Sequence, residues 1–452
     1  MARLSAIARM ARLMLLVPLV FAPALAFTVS TYFPDYAHYR PSPYTFEAAD
    51  LAPIVSRLDD VTLFTYYFCP PPGTSPMPYW AVAPYGACTD ANAFTLMSVE
   101  PADPSFLATL VGFKAQRPSL KILIAVGGWN FPSAYFSALA ASPAGRAAFV
   151  ASAAALLAAT GADGLSLDWE APCSVPRTAD VEISCTEFHE VADAGGRCPE
   201  DTVNVALLVD ELRAGLPAGA VISLATQASR QLELEMNVTA LAEVADWLDV
   251  MTYDYSVSDV PAPGPLAPNA PLFTPRNPAV TQMSINYTVA NYIAAGVPRS
   301  KIRVGIPSYG HAWFSPGLTD WAAFGGPSAT QGLCCGPFTA TGGAQPGLGA
   351  QLCGSMMYSE LLAAAPTLTH YDNATASDIA YFAAPGADGG HTAAGTWVSY
   401  NSVASVKAIT AWAVGMGLRG VFVFDASQDS KGFDILNAVA NAADAARARG
   451  GG

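Results

Sequence analysis

The sequence predicts an α/β protein built on a (β/α)8 TIM barrel. Short apolar runs rich in β-branched and aromatic residues recur along the chain, and helical patterns separate most of them. The runs are apolar throughout, which is typical of parallel strands covered by helices on both faces. Eight of them follow one another, which is the number that closes such a barrel: Phe27–Phe33, Val61–Phe68, Lys121–Val126, Gly164–Asp168, Val221–Thr226, Leu248–Tyr253, Ile302–Ile306 and Gly420–Phe424.

Alternating strands and helices also occur in a doubly wound open sheet. No GxGxxG motif follows the first strand, so that fold loses support. We therefore expect the barrel. The clearest predicted helices are Pro143–Thr160, Val203–Gly215, Ala240–Asp246, Ser402–Met416 and the Ala-rich C-terminal Ile435–Arg449.

Two connections are too long for simple crossovers. The segment between Ile306 and Gly420 far exceeds the roughly 30 residues of a βαβ unit, and its Gly-, Pro- and aromatic-rich part predicts an inserted small α+β subdomain at residues 311–395. The barrel then comprises residues 27–310 and 396–449. Residues 171–200 carry three Cys and no clear periodicity, which predicts a cross-linked loop after the fourth strand.

The composition excludes several classes of protein. Hydrophobic residues make up 52% of the 452 residues and charged residues 13%, against about a quarter in average chains. Such a chain is too apolar to be disordered. With 22 Lys and Arg against 36 Asp and Glu, it lacks the basic surface of a nucleic-acid binder. The apolar stretch Ala147–Ala162 is short and interrupted, and favours a buried helix over a membrane span.

The N-terminus has the pattern of a secretory signal peptide. Arg3, Arg9 and Arg12 form a positive region, Leu13–Phe21 is a short apolar core, and Ala24-Leu25-Ala26 fits a small-x-small cleavage site. We expect residues 1–26 to be removed and the protein to be secreted, extracellular and free of the membrane. An uncleaved anchor is the alternative, although the apolar run is short for a span.

The cysteines agree with the secretory route. Eight Cys in loop-like surroundings predict disulfides, and Cys69–Cys88 is the one pairing that we predict; the others stay open. No CxxC pair occurs and the five His are scattered, so we expect no metal site and no cofactor. Three N-x-T sequons are candidate glycosylation sites: Asn237, Asn286 and Asn373.

The fourth predicted strand ends in a group of polar residues. Because side chains alternate along a strand, Ser166, Asp168 and Glu170 share one face. Two carboxylates this close repel each other, which raises the pKa of one and suits a general acid. A structural polar network at the barrel centre is the alternative reading.

Two other strand ends carry similar signals. Gly127-Gly128-Trp129 follows the third predicted strand, where two glycines allow close backbone approach, and Met251-Thr252-Tyr253-Asp254 ends the sixth with a phenol and a carboxylate. In barrels, residues at the carboxyl ends of strands carry the chemistry. The three strand ends together therefore predict one site at the barrel mouth.

These motifs, in this order, resemble those of glycoside hydrolase family 18 chitinases over most of residues 27–435. The family signature DGxDxDxE reads DGLSLDWE here, SxGG reads AVGGW, and MxYD reads MTYD. The segment around the seventh strand is similar to the lead into the chitinase insertion domain, and 395–424 is similar to the return from it. The matching segments are 32–41, 125–129, 163–170, 251–254, 297–314 and 395–424.

The resemblance implies roles for these residues. Glu170 is the expected acid/base, Asp168 the residue that holds the acetamido N–H, and Tyr253 the donor to the acetamido oxygen. Hydrolysis in this family is substrate-assisted, so no enzyme nucleophile is required. Asp163 and Ser166 complete the signature. The residues expected to bind the sugar chain are Tyr32, Phe68, Gly128, Trp129, Met251, Asp254, Tyr309 and Phe424.

Three positions depart from the family pattern. Ser166 stands where the family has the first Asp of DxDxE, Phe424 where it usually has Trp, and Ala125 where it has Ser. Losing a neighbouring negative charge lowers the pKa of Asp168 relative to a typical member. We therefore expect reduced turnover or a shifted pH optimum.

The leading hypothesis is a secreted endo-acting chitinase that cleaves β-1,4-linked N-acetylglucosamine with retention. A chitin-binding lectin on the same fold is the runner-up, although lectin-like relatives usually lose the Glu that is present here as Glu170. An endoglycosidase acting on N-glycans is the third reading. The expected partner is chitin or a chitooligosaccharide, a neutral ligand that needs no basic cleft, and the protein is expected to be a monomer.

Overall fold

A computed structural model describes residues 27–40, 42–83, 85–174, 195–228, 236–257, 266–275, 283–314, 355–387, 392 and 394–450. The predicted signal peptide lies outside the described residues. So do Cys185, Cys334, Cys335 and Cys353, most of the predicted loop 171–200, and residues 315–354 of the predicted insertion.

Eight parallel strands close into a barrel, which confirms the predicted fold class. The hydrogen-bonded order runs β1, β2, β4, β5, β6, β7, β8, β14 and back to β1. Nearly every residue of these strands is buried, because helices cover the outside and side chains fill the inside. The strands are β1 (Thr28–Pro34), β2 (Asp60–Phe68), β4 (Lys121–Gly127), β5 (Gly164–Asp168), β6 (Val221–Gln227), β7 (Trp247–Met251), β8 (Ile302–Pro307) and β14 (Gly420–Phe424).

One barrel strand ends earlier than the sequence predicts. Strand β7 stops at Met251, whereas the prediction extended it to Tyr253. The chain turns there, since Thr252 N–H donates to the Val250 carbonyl at 2.8 Å and Asp254 has a φ of 57°. The sequence also missed β3 (Leu96–Ser98), a short antiparallel strand on the edge of β2.

The predicted helices are present with small shifts at their ends. Helix Pro143–Thr160 has the predicted bounds because Ser142 caps its N-terminus and Gly161, in the left-handed region, ends it. By length and apolar composition this helix could span a membrane, but it packs against three neighbouring helices in the outer layer of the barrel. The described α-helices are Asp103–Gly112, Ser133–Ala141, Pro143–Thr160, Glu200–Gly215, Val238–Val244, Ile285–Ala294, Tyr358–Ala364, Val403–Gly415 and Asp434–Gly450.

A second sheet lies in the chain between β8 and the helix that precedes β14. Its five strands are antiparallel, in the order β10, β9, β13, β12, β11. A tryptophan pair, Trp313 and Trp397, is buried within a small apolar cluster of this sheet. The sheet starts two residues after β8, so it lies beside the carboxyl ends of the barrel strands. Its strands are β9 (Tyr309–Phe314), β10 (Ser355–Met357), β11 (Leu368–Asp372), β12 (Ser377–Phe382) and β13 (Thr396–Tyr400).

Two disulfides fasten loops at the same end of the barrel. Cys69–Cys88, the predicted pair, closes the loop that follows β2. Cys173–Cys198 spans the segment after β5. Both therefore fix chain that leaves the carboxyl end of a strand.

Candidate active site

The carboxyl end of β5 carries two carboxylates into the barrel mouth. Asp168 is buried and Glu170 half-buried. Between them Trp169 points outward, where its indole N–H donates to the Ser133 hydroxyl at 2.7 Å and its ring stacks on Phe136 at 5.3 Å. Because Trp169 is anchored on the outer face, strand alternation directs both neighbours to the inside.

Two glycines let the next strand end approach Asp168. Gly127 and Gly128 have φ angles of 109° and 101°, which L side chains rarely adopt. A Cβ on Gly127 would lie 2.3 Å from the Asp168 carbonyl oxygen, and one on Gly128 would lie 2.7 Å from the Phe64 ring. The Gly128 N–H donates to that same Asp168 carbonyl at 2.8 Å. The predicted glycine motif therefore fixes the backbone of Asp168.

Asp168 lies in an environment that favours its neutral form. Burial raises the pKa of Asp168 well above its ordinary value, and the charges of Glu170 and Asp249 raise it further. Its Oδ1 accepts no hydrogen bond from the described residues. The pKa of Asp168 is therefore raised from its ordinary value even with Ser166 in place of a carboxylate.

Glu170 has a partner that the sequence reading missed. The side-chain amide of Gln227 donates to Glu170 Oε2 at 3.2 Å. Gln227 is the last residue of β6, so a polar residue at a buried strand end was the signal that could have identified it.

Aromatic rings form the floor of the mouth. Tyr32, Tyr253 and Tyr309 pack in one cluster with Phe422, and Met251 and Phe424 contact it. The Phe424 ring stacks on Tyr253 at 6.0 Å and lies 5.5 Å from Tyr32. This cluster brings together the predicted catalytic residue Tyr253 and four of the residues predicted to bind sugar: Tyr32, Met251, Tyr309 and Phe424.

The phenols of this floor stay protonated. Burial raises the pKa of Tyr253 well above its ordinary value, and nearby negative charges add to the effect. The same cause acts on Tyr32, whose hydroxyl lies 3.3 Å from the Ser166 hydroxyl. Both phenols are therefore available as hydrogen-bond donors.

Asp254 lies at the edge of the mouth, where two side chains hold it. The Tyr309 hydroxyl donates to its Oδ1 at 2.7 Å, and His311 Nε2 contacts the same oxygen at 2.8 Å. Its backbone N–H donates to the Asn269 side chain at 2.9 Å. Asn269 and His311 are further residues that the sequence reading missed; Asn269 lies outside the matching segments, and His311 lies within 297–314 but was given no role.

The structure does not bring Phe68, a predicted binding residue, to the aromatic floor. Phe68 is fully buried among Phe131, Phe136 and Phe149, away from the aromatic floor. The pairing of β2 with β4 shifts register between Leu63 and Tyr66, so simple alternation does not carry through this strand. Phe64, which contacts Tyr32 and Phe424, faces the mouth instead.

Two other predicted residues lie at opposite ends of the barrel. Trp129 directly follows the glycine pair and is 47% exposed, an unusual position for so large an apolar side chain. Asp163 lies before the start of β5, where it pairs with Lys114 and Lys121. Partial burial on its own would raise the pKa of Asp163. Hydrogen bonds from Lys114, the Ile122 backbone and Lys121 outweigh this effect and lower the pKa. Asp163 is therefore remote from the mouth and stabilises the barrel base.

Chemically, the mouth combines a half-buried carboxylate, a buried carboxyl that favours its neutral form, and neutral phenols over an aromatic floor. Such a set can donate a proton, accept it back, and hold an uncharged ligand with a flat apolar face. Among the described residues, no cluster of His, Cys, Asp and Glu could hold a metal ion.

Comparison with known sequences agrees with this geometry. The sequence profile of Glycosyl hydrolases family 18 matches residues 28–429. Chitinase A1 of Niallia circulans is 33% identical over 213 residues, 44% of this chain and 28% of that protein. Chitotriosidase-1 of Mus musculus is 29% identical over 247 residues, 54% of this chain and 50% of that protein. The matches thus span half or less of these curated relatives.

A solved structure shares the fold across nearly the whole chain. The Group IV chitinase of Ostrinia furnacalis, determined in complex with allosamidin, superposes with a TM-score of 0.71 at 22% identity. The match covers 93% of this chain and 99% of that chain.

Proposed function

Because the chain belongs to Glycosyl hydrolases family 18, we propose that it is a chitinase that cleaves β-1,4-linked N-acetylglucosamine chains by substrate-assisted catalysis with retention. The observation that carries this proposal is the pairing of half-buried Glu170 with a buried Asp168 whose Oδ1 has no partner among the described residues. Substrate-assisted hydrolysis requires one acid/base and one residue to hold the acetamido group.

Glu170 is the proposed acid/base. In the first step its carboxyl proton passes to the glycosidic oxygen while the acetamido carbonyl oxygen bonds to the anomeric carbon, and the bond to the leaving sugar breaks. In the second step Glu170 accepts a proton from water, and the water oxygen replaces the acetamido oxygen. Two displacements at one carbon give retention. The Gln227 amide at 3.2 Å orients the carboxylate for both steps.

Asp168 is the proposed acetamido partner. Its unpaired Oδ1 would accept the acetamido N–H, and its ionised form would stabilise the positive charge of the oxazolinium ion. Tyr253 is the proposed donor to the acetamido oxygen, because its raised pKa keeps the hydroxyl protonated. These two contacts orient the carbonyl oxygen toward the anomeric carbon.

The aromatic side chains supply the sugar platform in this proposal. Phe424 and Phe64 lie at the floor, and Trp129 presents an exposed ring beside the glycine turn. Flat sugar faces pack on such rings, and a neutral polymer needs no basic surface. Gly128, Met251, Asp254, Tyr32 and Tyr309 are the remaining proposed contacts. The five-stranded sheet, which runs from Tyr309 to Tyr400 and so extends beyond both ends of the proposed insertion 311–395, would form one wall of the groove.

The proposal includes the secretory route. Two disulfides occur among the described residues, and disulfides persist in oxidising compartments. Two of the sequon residues, Asn237 and Asn373, are exposed. We propose a secreted, glycosylated monomer that loses residues 1–26 and acts on chitin or chitooligosaccharides away from the membrane.

A chitin-binding lectin is the second candidate, favoured by Ser166 and Phe424, which depart from the catalytic pattern. Assays on a fluorogenic chitobioside and on colloidal chitin separate the two. We expect wild type and Glu211→Gln, a surface control, to release product, and Glu170→Gln to lose roughly 10²–10⁴-fold in kcat. Chitin binding without release of product by wild type would overturn the enzyme in favour of the lectin.

A further inference from the structure

A buried ion triad lies inside the barrel below the mouth. The Arg303 guanidinium donates to Asp60 at 3.1–3.2 Å, and its Nε lies 3.0 Å from Asp249 Oδ1. None of the three side chains is more than 5% exposed. Trp247 closes the triad from below, because its indole N–H donates to Asp249 Oδ2 at 3.0 Å. None of these residues belongs to the motifs that define the mouth.

The register of the strands places Asp249 close to Asp168. Leu167 on β5 pairs with Leu224 on β6, and Ala225 pairs with Asp249 on β7. Continued by one residue, the register puts Asp168 beside Ala225, so a single strand with a small side chain separates the two carboxyl groups. At ~4.8 Å per strand their backbones are ~10 Å apart.

Few charges lie between Asp168 and this triad. The groups that face Asp168 are Glu170 on its own strand, the neutral phenols of Tyr32 and Tyr253, and Ser166. The groups that face Asp249 are Arg303, Trp247, Ser223, Asp60, the phenol of Tyr32 and, over the indole, Arg419. The field of Asp249 therefore reaches Asp168 through buried, low-dielectric surroundings.

The triad carries one net negative charge when both carboxyls are ionised. Burial raises the pKa of Asp60 to about 6 although Arg303 opposes it. Burial also raises the pKa of Asp249, while Arg303 and the Trp247 indole favour its charged form. When both are ionised, two carboxylates face one guanidinium, and the carboxylate next to the mouth is that of Asp249.

We propose that Asp249 is a positioning residue that supplies, from a different strand, the negative charge that Ser166 cannot supply, and so keeps Asp168 protonated at rest. This inference rests on the proposed function. A proton held between Asp168 and Glu170 is the one that Glu170 donates to the glycosidic oxygen. Loss of that proton at high pH leaves two adjacent carboxylates and no acid, so the alkaline limb of kcat/KM reports it.

The first test is the pH profile of kcat/KM for Asp249→Asn, with Asp60→Asn as the matched control. Both variants remove one buried carboxylate from Arg303, but Asp60 lies on the far side of the guanidinium. We expect Asp249→Asn to move the alkaline limb to lower pH by about one unit, given ~10 Å and an effective dielectric constant of ~20. Asp60→Asn should move it by less than half as much. Equal shifts, or no shift for Asp249→Asn, would overturn the proposal.

A rescue distinguishes charge from packing. Ser166→Asp in the Asp249→Asn background returns a carboxylate to the neighbourhood of Asp168, and we expect the alkaline limb to move back toward higher pH. A limb that stays where Asp249→Asn left it would contradict the electrostatic role.

If Asp249→Asn does not fold, the triple variant Asp60→Asn, Arg303→Met, Asp249→Asn replaces the whole triad, a change that buried ion networks often tolerate. It removes the same net charge, so the same downward shift is expected and its absence counts against the proposal.

A second readout does not need turnover. The carboxyl carbon of Asp168, labelled with ¹³C and assigned by comparison with Asp168→Asn, can be titrated by NMR in wild type and in the triad variants. We expect a lower midpoint without Asp249. If wild type hydrolyses no substrate, the proposed function fails, while this titration still decides whether Asp249 acts on Asp168.

Discussion

The two ends of strand β5 hold the same kind of side chain in opposite settings. Asp163, at the base, pairs with Lys114 and Lys121, and these contacts lower its pKa. Asp168, at the mouth, is buried with one unpartnered oxygen, and its pKa is raised. The paired carboxylate stabilises the fold, whereas the burial of the other carries a free-energy cost.

The contrast is tested most strongly by removing each charge in turn. Asp168→Asn should lower kcat roughly 10²–10³-fold, since it removes a transition-state charge contact, and should leave the melting temperature unchanged or higher. Asp163→Asn should leave kcat within about twofold and cost about 1–2 kcal/mol of stability, through lost charged hydrogen bonds. Kinetic assays and urea denaturation measure both. A large loss of kcat in Asp163→Asn with an intact fold would break the comparison.

The glycine turn beside Asp168 gives the next largest effect. Gly128→Ala puts a Cβ 2.7 Å from the Phe64 ring at a φ of 101°, so both strain and a clash arise. Gly73→Ala is a matched control, because Gly73 has a φ of 80° with nothing within 4 Å of the added Cβ. We expect Gly128→Ala to cost about 1–3 kcal/mol more than Gly73→Ala and to reduce kcat/KM at least tenfold. Equal costs in denaturation would show that the close approach is unimportant.

The exposed ring at the mouth should affect binding more than stability. Trp129→Ala removes a 47% exposed side chain beside the glycine turn, and Tyr79→Ala removes a 49% exposed one whose ring lies 5.9 Å from that of Tyr85. A lost aromatic contact of about 0.5–1.5 kcal/mol raises KM for a long chitooligosaccharide roughly 2- to 13-fold. We expect this for Trp129→Ala, with little change for Tyr79→Ala. Calorimetric titration with an inactive Glu170→Gln background measures it directly.

Buried carboxyl groups predict the pH dependence of stability. Burial raises the pKa values of Asp60, Asp103 and Asp429 to about 6 each. The folded chain therefore binds these protons more tightly than the unfolded chain, whose Asp pKa is ~3.9. This contribution is fully present below pH ~4 and is lost as the pH rises through about 6. The melting temperature should be several degrees higher at pH 5 than at pH 8, and a flat or opposite trend would contradict it.

The sequence predicted the barrel and the arrangement on β5 because both depend on regular alternation. Ser166, Asp168 and Glu170 follow the period of two, and the outward Trp169 confirms it. Alternation does not carry through β2, because its pairing with β4 shifts register, and Phe64 rather than Phe68 therefore lies at the aromatic floor. Asn269 lies outside every motif, so nothing local indicated its contacts, whereas Gln227 ends a buried strand and could have been identified from that position.

The buried triad joins residues that are far apart in the sequence, so no local motif predicts it. Asp60 and Arg303 are separated by 243 positions in the chain and meet only because the barrel closes across its interior. Because Ser166 replaces a carboxylate, the sequence predicted a lower pKa for Asp168 than in a typical family member. The structure adds Asp249, a charge that the local motif does not contain.

The central claim is that Glu170 and Asp168 support two displacements at the anomeric carbon, so that hydrolysis retains the configuration. Proton NMR of the first product of chitohexaose hydrolysis, recorded before mutarotation, tests it most directly. Substrate-assisted catalysis with Glu170 and Asp168 predicts that the new reducing end forms as the β-anomer. Initial formation of the α-anomer would contradict the account, because a single displacement by water would then replace the two steps proposed for Glu170.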